Sequence, residues 1–427
     1  MPMRTALLIV SLLTIAACGR REASPAPPPA ASNADVIARG EYLARAGDCV
    51  ACHTVPGGTE YVGGRAFKLK MGTIYSPNIT PDRETGIGNW SDDDFVRAMQ
   101  KGVAPDGSHY YPAFPYNYFT LLDRPDLLAI KAYLFTLPAS RSRAPESQLH
   151  WPFNHRRLMV FWNALYNPNR RFEPEPSRSA QWNRGAFLVQ GPAHCGACHT
   201  PMSILQGPKA GHAFAGETLQ GWHAYNITPD KQSGIGAWSD ADLLAYLSTG
   251  HASGHGSASG PMAEAISFSL SHLTQDDLRA MIAYLRTVEP RRDESAPEAA
   301  PKNGLTARDQ AAAARELVGP HSTGARIFAG ACANCHSWDG AGVETSYAEL
   351  AGSRALHDPR ATNVTRVILE GTKIQTATGQ VFMPAFGAGY SDAEVAALVS
   401  FTTQWFGQPV TLVAEDVAAR RDVAHAQ

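Results

Sequence analysis

Short helical stretches separated by turns form the dominant pattern of apolar and polar positions along the chain. No segment shows the apolar and polar alternation of a convincing strand. Five helical stretches open with a capping residue followed three positions later by an acidic one. The capping patterns are Ser91-x-x-Asp94, Asp123-x-x-Asp126, Ser239-x-x-Asp242, Thr274-x-x-Asp277 and Ser391-x-x-Glu394. The pattern predicts an all-α fold.

One unit of this pattern occurs twice, and a related unit occurs a third time. The segment Asn-Ile-Thr-Pro-Asp at 78–82 returns at 226–230, and Gly-Ile-Gly-x-Trp at 86–90 returns at 234–238. Both pairs are separated by 148 residues, which indicates two homologous domains. A third unit lacks the Asn-Ile-Thr-Pro-Asp segment and is a more distant relative.

Each unit begins with a helical segment that holds a glycine close to an aromatic residue. A first helix that crosses the last helix at this glycine would allow close backbone approach; alternatively, the glycines only mark helix starts. Aromatic residues on the last helices are the candidate packing partners. The pairs are Gly40 with Tyr42, Gly185 with Phe187 and Gly324 with Phe328, and the candidate partners are Tyr133, Tyr284 and Phe401.

The repeats divide the chain into three domains and their connections. The first connection is too aromatic for a free linker, so we expect it to pack against both neighbouring domains. The second begins with a charged, Pro/Ala-rich stretch, so we expect it to be solvated and the third domain to sit less firmly. The predicted ranges are 35–140, 178–290 and 319–410 for the domains, 141–177 for the connector, 291–318 for the linker and 411–427 for a C-terminal tail.

The amino terminus has the pattern of a secretory signal. The mainly apolar run from Ala6 to Ala17 has about a dozen residues, too few to span a bilayer core of about 30 Å. Small residues before Cys18 resemble a bacterial lipoprotein box; the alternative is an ordinary signal peptide with an incidental cysteine. We therefore expect a signal peptide at 1–17, a lipidated Cys18 with a Pro/Ala-rich tether at 18–34, and a periplasmic, membrane-anchored protein.

Composition and cysteine usage narrow the function further. Of 427 residues, 44% are hydrophobic and 18% charged, and the formal net charge is −2. The chain is therefore neither disordered nor a nucleic-acid binder. Six of its seven cysteines lie in three copies of Cys-x-x-Cys-His and the seventh is Cys18, so the sequence predicts no disulfide framework.

The three Cys-x-x-Cys-His motifs predict three covalently attached c-type haems. Cysteines three positions apart on a helical turn face the same way and form thioethers with two vinyl groups, while the adjacent histidine reaches the iron. A closed zinc site would need four ligands, and a thioredoxin-like motif would need a βαβ context. The predicted attachment and iron-binding residues are Cys49, Cys52 and His53, Cys195, Cys198 and His199, and Cys332, Cys335 and His336.

Methionines are the predicted sixth ligands of two haems. Met262 and Met383 each lie next to a proline, well past the motif histidine, and a methionine ligand raises the haem potential. At the matching position of the first domain, 148 residues before Met262, the chain has Phe114, which has no ligating atom. Three alternatives remain for the first haem: His109, Met71 or a vacant sixth site.

These motifs together resemble the three-haem cytochrome c subunits of bacterial membrane-bound alcohol dehydrogenases, and similar subunits serve gluconate, sorbitol and aldehyde dehydrogenases. The form with Phe114 looks more like cytochromes paired with molybdenum hydroxylases that act on aldehydes or N-heterocycles. The resemblance covers nearly the whole chain after the tether and implies three class I cytochrome c-like domains in tandem. Beside the doubled segments, its motifs are Tyr-Pro-Ala-Phe-Pro-Tyr at 111–116, Gly-Pro-Met-Ala at 260–263 and Met-Pro-Ala-Phe at 383–386.

The resemblance implies a periplasmic electron-transfer subunit. Electrons would come from a dehydrogenase catalytic subunit of molybdenum, quinone or flavin type and would leave to ubiquinone or a terminal oxidase. The chain would have no substrate-oxidising site of its own. Two alternatives remain: a haem enzyme, peroxidase-like or binding a small ligand at a five-coordinate first haem, and a free-standing electron shuttle.

Overall fold

The computed structural model describes residues 32–69, 71–293, 322–377 and 379–425. The predicted signal peptide, Cys18, nearly all of the tether and most of the linker lie outside these ranges, so what the sequence predicts for them stays a prediction. Within these ranges, no helix combines the length and the apolar character needed to cross a bilayer.

Capped helices around one apolar core form the first domain. The side chains of Ser32, Ser91 and Asp123 each accept a hydrogen bond from the backbone amide three residues on, which satisfies amides that have no partner within the helix. Leu43 and Leu122 lie in the buried core. The elements are α1 (Asn33–Ala46), α2 (Cys49–Cys52), β1 (Ala66–Leu69), β2 (Gly72–Tyr75), α3 (Asp92–Lys101), α4 (Tyr116–Phe119) and α5 (Arg124–Leu134).

The connector holds the first two domains together. Its strand β3 (Gln148–Leu149) pairs antiparallel with β2, and helix α6 (Met159–Tyr166) follows. The Trp162 ring packs against Tyr116 at a centroid distance of 5.9 Å, and its Nε1 donates to the carbonyl oxygen of Leu205 in the second domain at 3.0 Å. The connector therefore contacts both neighbours, as its aromatic content predicts.

The second domain repeats the helix order of the first around its own core. Leu188, Ile266 and Leu278 are completely buried there. The elements are α7 (Ala180–Gln190), α8 (Gly196–His199), β4 (Glu217–Leu219), β5 (Trp222–Ala224), α9 (Asp240–Thr249), β6 (His251–Ala252), β7 (Gly256–Ser257), α10 (Gly260–Phe268) and α11 (Gln275–Leu285).

The third domain has a third core and extends to the end of the described chain. The predicted C-terminal tail forms a helix that packs on this domain: Val417 is completely buried, and Arg421 Nε donates to Asp392 at 2.8 Å. The elements are α12 (Thr323–Ile327), α13 (Ala333–His336), α14 (Thr362–Glu370), β8 (Thr372–Thr376), β9 (Gly379–Met383), α15 (Asp392–Phe406) and α16 (Ala414–His425).

First and last helices cross at a glycine in all three domains. A Cβ added to any of these glycines would overlap a backbone carbonyl oxygen of the facing helix, so a larger side chain would force the helices apart. The facing pairs are Gly40 with Ala129, Gly185 with Ala280, and Gly324 with Ala397. The prediction of a close crossing is confirmed.

The aromatic pairing predicted at these crossings holds only in the third domain. Tyr42 instead donates a hydrogen bond from its hydroxyl to Asp277 of the second domain at 2.5 Å. The reason is that the first two domains use this helix face for their mutual contact. The observed ring pairs are Phe328 with Phe401 at 5.6 Å, Tyr61 with Tyr133 at 6.3 Å, Trp182 with Tyr284 at 5.3 Å, and Phe172 with Phe187 at 5.6 Å.

Small antiparallel sheets correct the all-α prediction. Strands β1, β2 and β3 form one three-stranded sheet, and β4–β5, β6–β7 and β8–β9 form two-stranded ones. Their strands have two to five residues, below or at the lower limit of the roughly four to eight residues over which alternation is recognised in a sequence. The fold is mainly helical, with these hairpins between the helices.

The third domain is held firmly against the second, contrary to the expectation from the linker composition. The Asn363 amide accepts from the backbone amide of His223 at 2.8 Å and donates to its carbonyl oxygen at 2.9 Å. The Tyr347 hydroxyl donates to the carbonyl oxygen of Thr249 in the second domain at 2.9 Å. Direct contacts between the domains therefore fix their arrangement, and this does not depend on the composition of the linker.

Candidate functional site

The first Cys-x-x-Cys-His motif follows directly on α1. Gly47 caps this helix, and Asp48 takes left-handed backbone angles (φ 50°) that turn the chain into the single turn α2. The backbone amide of His53 donates to the carbonyl oxygen of Cys49 at 3.0 Å, so helical geometry continues up to the histidine. Cys49 and Cys52 thus lie one turn apart on the same side of the helix.

The other two motifs also form a helical turn. In the second domain, His194 has φ 34° before Cys195, and the amide of His199 donates to the carbonyl oxygen of Cys195 at 3.0 Å. In the third domain, the turn Phe328–Cys332 has π-helical geometry and leads into α13, which ends at the motif histidine.

All three motif histidines have the same ring environment. Nδ1 of each ring faces a backbone carbonyl oxygen, which only accepts hydrogen bonds, so Nδ1 carries the proton. The pairs are His53 with Pro77 at 2.7 Å, His199 with Tyr225 at 2.6 Å, and His336 with Ala348 at 2.7 Å. The lone pair is therefore on Nε2, and the hydrogen bond fixes the ring orientation, as is typical of metal-bound histidine.

The repeated Asn-Ile-Thr-Pro-Asp segment supports this carbonyl in the first domain. Oδ1 of the buried Asn78 accepts from the Thr80 amide at 2.9 Å, and Oδ1 of Asp82 accepts from the Thr85 amide at 2.6 Å. These bonds close a tight loop directly after Pro77. The loop therefore holds the acceptor of the motif histidine in place.

The second domain builds the same loop after Tyr225. Asn226 accepts from the Thr228 amide at 2.8 Å, and Asp230 accepts from the Ser233 amide at 2.6 Å. The sequence shows this segment as a repeat, but its role beside the motif histidine was not predicted. The signal was its spacing, because the acceptor follows the motif histidine by 24 residues in one domain and 26 in the other.

The third domain replaces this loop with support from its neighbour. Ala348 follows His336 by only 12 residues. The adjacent Tyr347 donates from its hydroxyl to the carbonyl oxygen of Thr249 at 2.9 Å and accepts at its own carbonyl oxygen from Ser257 at 3.0 Å. The second domain thus helps to position the third histidine.

The electrostatic environment keeps these imidazoles neutral. Burial lowers the pKa of His53 and His336, although the hydrogen bond to the carbonyl partly opposes this. Burial lowers the pKa of His199 to about 4, with a further contribution from Arg354. A neutral ring with its lone pair on Nε2 is the form that binds iron.

The residues present fit a covalently attached haem. The six motif cysteines are free thiols in the structure, arranged in pairs with one oriented imidazole each. Two thiols and one imidazole are the donor set of a c-type haem, which supplies one-electron redox chemistry when bound.

Both predicted methionine ligands pack against the core of the expected domain. Met262 is the third residue of α10, in its first turn rather than in a preceding turn, and it is half-buried against the core of the second domain. Met383 ends β9 opposite Thr372 and is half-buried against the core of the third domain.

Phe114 belongs to an aromatic cluster in the first domain. Its ring centroid lies 5.7 Å from that of Tyr110, 6.2 Å from that of Tyr116 and 5.7 Å from that of Phe119. The position equivalent to Met262 is therefore filled by packed rings.

The two alternative ligands of the first haem are tied to the connector. The Asn163 amide nitrogen of α6 donates to His109 Nδ1 at 3.2 Å, which leaves the proton of the neutral ring on Nε2. Met71 lies in the turn between β1 and β2, and its carbonyl oxygen accepts from the backbone amide of His150 at 2.9 Å. The structure thus gives His109 a competing partner.

The first two motifs face each other across a reciprocal contact between the domains. Arg65 donates from Nη1 to the carbonyl oxygen of Ala51 at 2.6 Å and from Nη2 to Glu264 of α10 at 2.8 Å. In the opposite direction, the ring of Tyr118 in α4 lies against Gly196 of the second motif. Helices α4 and α10 occupy equivalent places in the two repeats, so each domain covers the motif of the other.

Asp48 lies between the two motifs. Burial raises the pKa of its carboxyl well above the usual range, Glu264 adds to this, and Arg65 opposes it. Burial also raises the pKa of Cys52 to about 12 and of Cys198 to about 11, and Asp48 contributes to both. The carboxyl of Asp48 therefore acts on the second cysteines of both motifs.

Helix α10 also contacts the third domain. It packs on β8, where the backbone amide of Gln375 donates to Ser267 Oγ at 2.9 Å. One helix thus carries Met262, covers the first motif and supports the hairpin that ends in Met383.

Comparison with known families decides what these sites are. The cytochrome c family model matches residues 37–138, 183–289 and 322–404, so each match contains one motif and together they cover more than half of the chain. The chain belongs to the cytochrome c family. The three matches in series confirm the prediction of tandem cytochrome c domains.

Several relatives of this cytochrome belong to dehydrogenases. A nicotinate dehydrogenase subunit from Pseudomonas putida is 39% identical over 93% of the chain, but the chain spans only 33% of that protein. The gluconate 2-dehydrogenase cytochrome c subunit of Pantoea cypripedii is 36% identical over 91% of the chain and 90% of its own length. The fructose dehydrogenase cytochrome subunit of Gluconobacter japonicus is 34% identical over 96% of the chain and 88% of its own length.

The comparisons and the three motifs establish the type of protein. This cytochrome carries three covalently bound haem c groups and is an electron-transfer subunit that works with a dehydrogenase catalytic subunit.

Proposed function

We propose that this cytochrome accepts electrons from a membrane-associated dehydrogenase in the periplasm and delivers them to ubiquinone or a terminal oxidase. The observation that carries the proposal is the contact of α10 with all three haem-binding regions. Domains packed in this way keep the cofactors at fixed separations, which a relay needs.

The proposed iron ligands are the three motif histidines and two methionines. His53, His199 and His336 bind iron through Nε2, and Met262 and Met383 provide the sixth ligand in the second and third domains. The hydrogen bonds from Nδ1 to backbone carbonyls support the histidines, and the half-buried core positions support the methionines.

The first domain is the proposed site of electron input. Phe114 offers no sulfur, and loss of a methionine ligand lowers a haem potential. Electrons then move from the haem of the first domain towards those of the second and third domains, whose potentials are higher because methionine is their sixth ligand.

A molybdenum hydroxylase that acts on an N-heterocycle or an aldehyde is the proposed partner. Support comes from Phe114 in the motif Tyr-Pro-Ala-Phe-Pro-Tyr and from the similarity to a nicotinate dehydrogenase subunit. Acylation of Cys18 is the proposed anchor, because the small residues before it match a lipoprotein box.

Purification of the tagged full-length chain from its host tests this function. We expect a dehydrogenase catalytic subunit to copurify, and the haem absorbance of the complex to change on reduction by nicotinate or an aldehyde. A chain that purifies alone and is reduced only by soluble donors would indicate a shuttle. Peroxide turnover by the isolated chain would indicate a haem enzyme.

A further inference from the structure

Helix α6 has two apolar faces, and only one of them is covered. Trp162 and Tyr166 point towards the domains, where Trp162 is 7% exposed. Phe161 and Leu165, four positions apart on the side away from the domains, are 70% and 66% exposed, and Leu158, the residue before the helix, is 41% exposed. A helix that met only water there would carry polar side chains on that side.

This apolar stripe continues onto the second domain. The loop that accepts the Trp162 indole hydrogen bond exposes 96% of Ile204 and 54% of Leu205. We call Leu158, Phe161, Leu165, Ile204 and Leu205 the connector face. Trp151, 78% exposed, precedes it in the same connector.

The chain around the connector face is strongly basic. Residues 147–172 contain four arginines, two histidines and no Asp or Glu, whereas the whole chain has a formal net charge of −2. Arg156, Arg157 and Arg170 are exposed. Among the described residues, none of the four arginines forms a salt bridge with a carboxylate.

An apolar stripe flanked by arginines is the arrangement of a helix that lies in a membrane interface. Its apolar side chains enter the boundary between headgroups and acyl chains, while the arginines meet anionic headgroups. Exposed tryptophan is also typical of this depth in a bilayer. We propose that the connector face rests on an anionic phospholipid bilayer and orients the cytochrome on it.

The distribution of charge favours a lipid surface over a protein partner. Arg156 and Arg157 precede the stripe and Arg170 follows it, so positive charge lies beyond both ends of α6. An extended layer of anionic headgroups meets both ends at once. This contact involves no acyl group on Cys18 and is a second attachment, independent of that anchor.

Vesicle sedimentation tests the contact. We would use the full chain with Cys18→Ser, which removes the proposed acylation site, and vesicles of phosphatidylglycerol with phosphatidylethanolamine or of phosphatidylcholine alone. We expect sedimentation with the anionic vesicles, weak sedimentation with the neutral ones, and a loss of binding as salt screens the arginines. Equal sedimentation with both vesicles, or none with either, would overturn the proposal.

Substitutions locate the bound surface. Phe161→Ser with Leu165→Ser should weaken partition into anionic vesicles by about tenfold or more, and Arg157→Gln should weaken it severalfold. The matched controls Val413→Ser and Arg326→Gln change an exposed valine and an exposed arginine elsewhere and should leave partition unchanged. Unchanged haem absorbance and melting temperature show that each variant is folded.

A protein partner on the same face would give a different result. If the Phe161 and Leu165 variant bound vesicles normally but lost copurification with the dehydrogenase subunit, the connector face would be a protein interface and our proposal would be wrong. Electron transfer from dehydrogenase to cytochrome in detergent, measured separately, reports on the proposed function and not on this surface.

Discussion

Equivalent positions in the first two domains hold side chains with opposite chemistry. Met262 has a sulfur, which is the proposed iron ligand, whereas Phe114 has a ring that packs against Tyr110, Tyr116 and Phe119. The motif histidines of both domains have the same orienting hydrogen bond. A difference in potential between the two haems is therefore expected to come from the sixth position.

Phe114→Met should raise the potential of one haem, on the order of 0.1 V, and leave the other two nearly unchanged. The reason is that the new thioether occupies the place that Met262 has in the second domain. A redox titration that resolves three potentials measures the effect. Phe135→Met, a change at a partly exposed ring of the same domain, is the control. Three methionine-type haems in the wild type, as with Met71 as ligand, would contradict the idea.

Pairs of helices, rather than single helices, define each domain. The crossing of the first and last helices depends on a residue without a side chain, because the facing carbonyl oxygen occupies the space of a Cβ. The motif follows the first helix directly in the first domain. Any shift of that helix therefore moves the thiols and the histidine together.

Gly324→Ala should destabilise the third domain by about 3 kcal/mol or more, because the added methyl group overlaps the carbonyl oxygen of Ala397. Denaturant unfolding of the holoprotein, followed at the haem band, measures the loss. Gly389→Ala is the matched control, since its added Cβ meets nothing closer than 3.6 Å. Equal stability of the two variants would show that the crossing adapts at low cost.

At the scale of the whole molecule, the domains are held together by direct contacts as well as by the connecting segments. Tyr42 of the first domain donates to Asp277 of the second at 2.5 Å and accepts from the Thr274 amide at 3.1 Å. Arg184 binds the same carboxylate through two hydrogen bonds of 2.8 and 2.7 Å. Burial would raise the pKa of Asp277, but the bonds from Arg184 and Tyr42 lower it overall, so the carboxylate stays charged.

Tyr42→Phe should lower the free energy of unfolding by about 1–2 kcal/mol, since it removes a hydrogen bond to a charged group and leaves an amide without its partner. Thermal and denaturant unfolding measure the change. Tyr75→Phe removes the hydroxyl of a half-buried tyrosine outside this contact and should have a smaller effect. If the two variants were equally stable, the Tyr42 contact would contribute nothing to domain association.

The chemistry of this protein could be predicted from its sequence because it is encoded locally. Two cysteines and a histidine within one helical turn specify haem attachment wherever the turn lies. The capping patterns and the repeat at a spacing of 148 residues are equally local signals. They indicated three domains of one family, and the family comparison confirms this.

Only the tertiary structure decided which distant groups meet. The carbonyl oxygens that orient the three histidines lie 24, 26 and 12 residues further along the chain. The sequence shows a repeated segment beside the first two acceptors, but only the structure shows that they contact the histidines. Strands of two to five residues were missed because they lie below or at the lower limit of length at which alternation is recognised. The exposed stripe on α6 could not be predicted either. A sequence shows which positions are apolar, but whether they are covered depends on long-range packing.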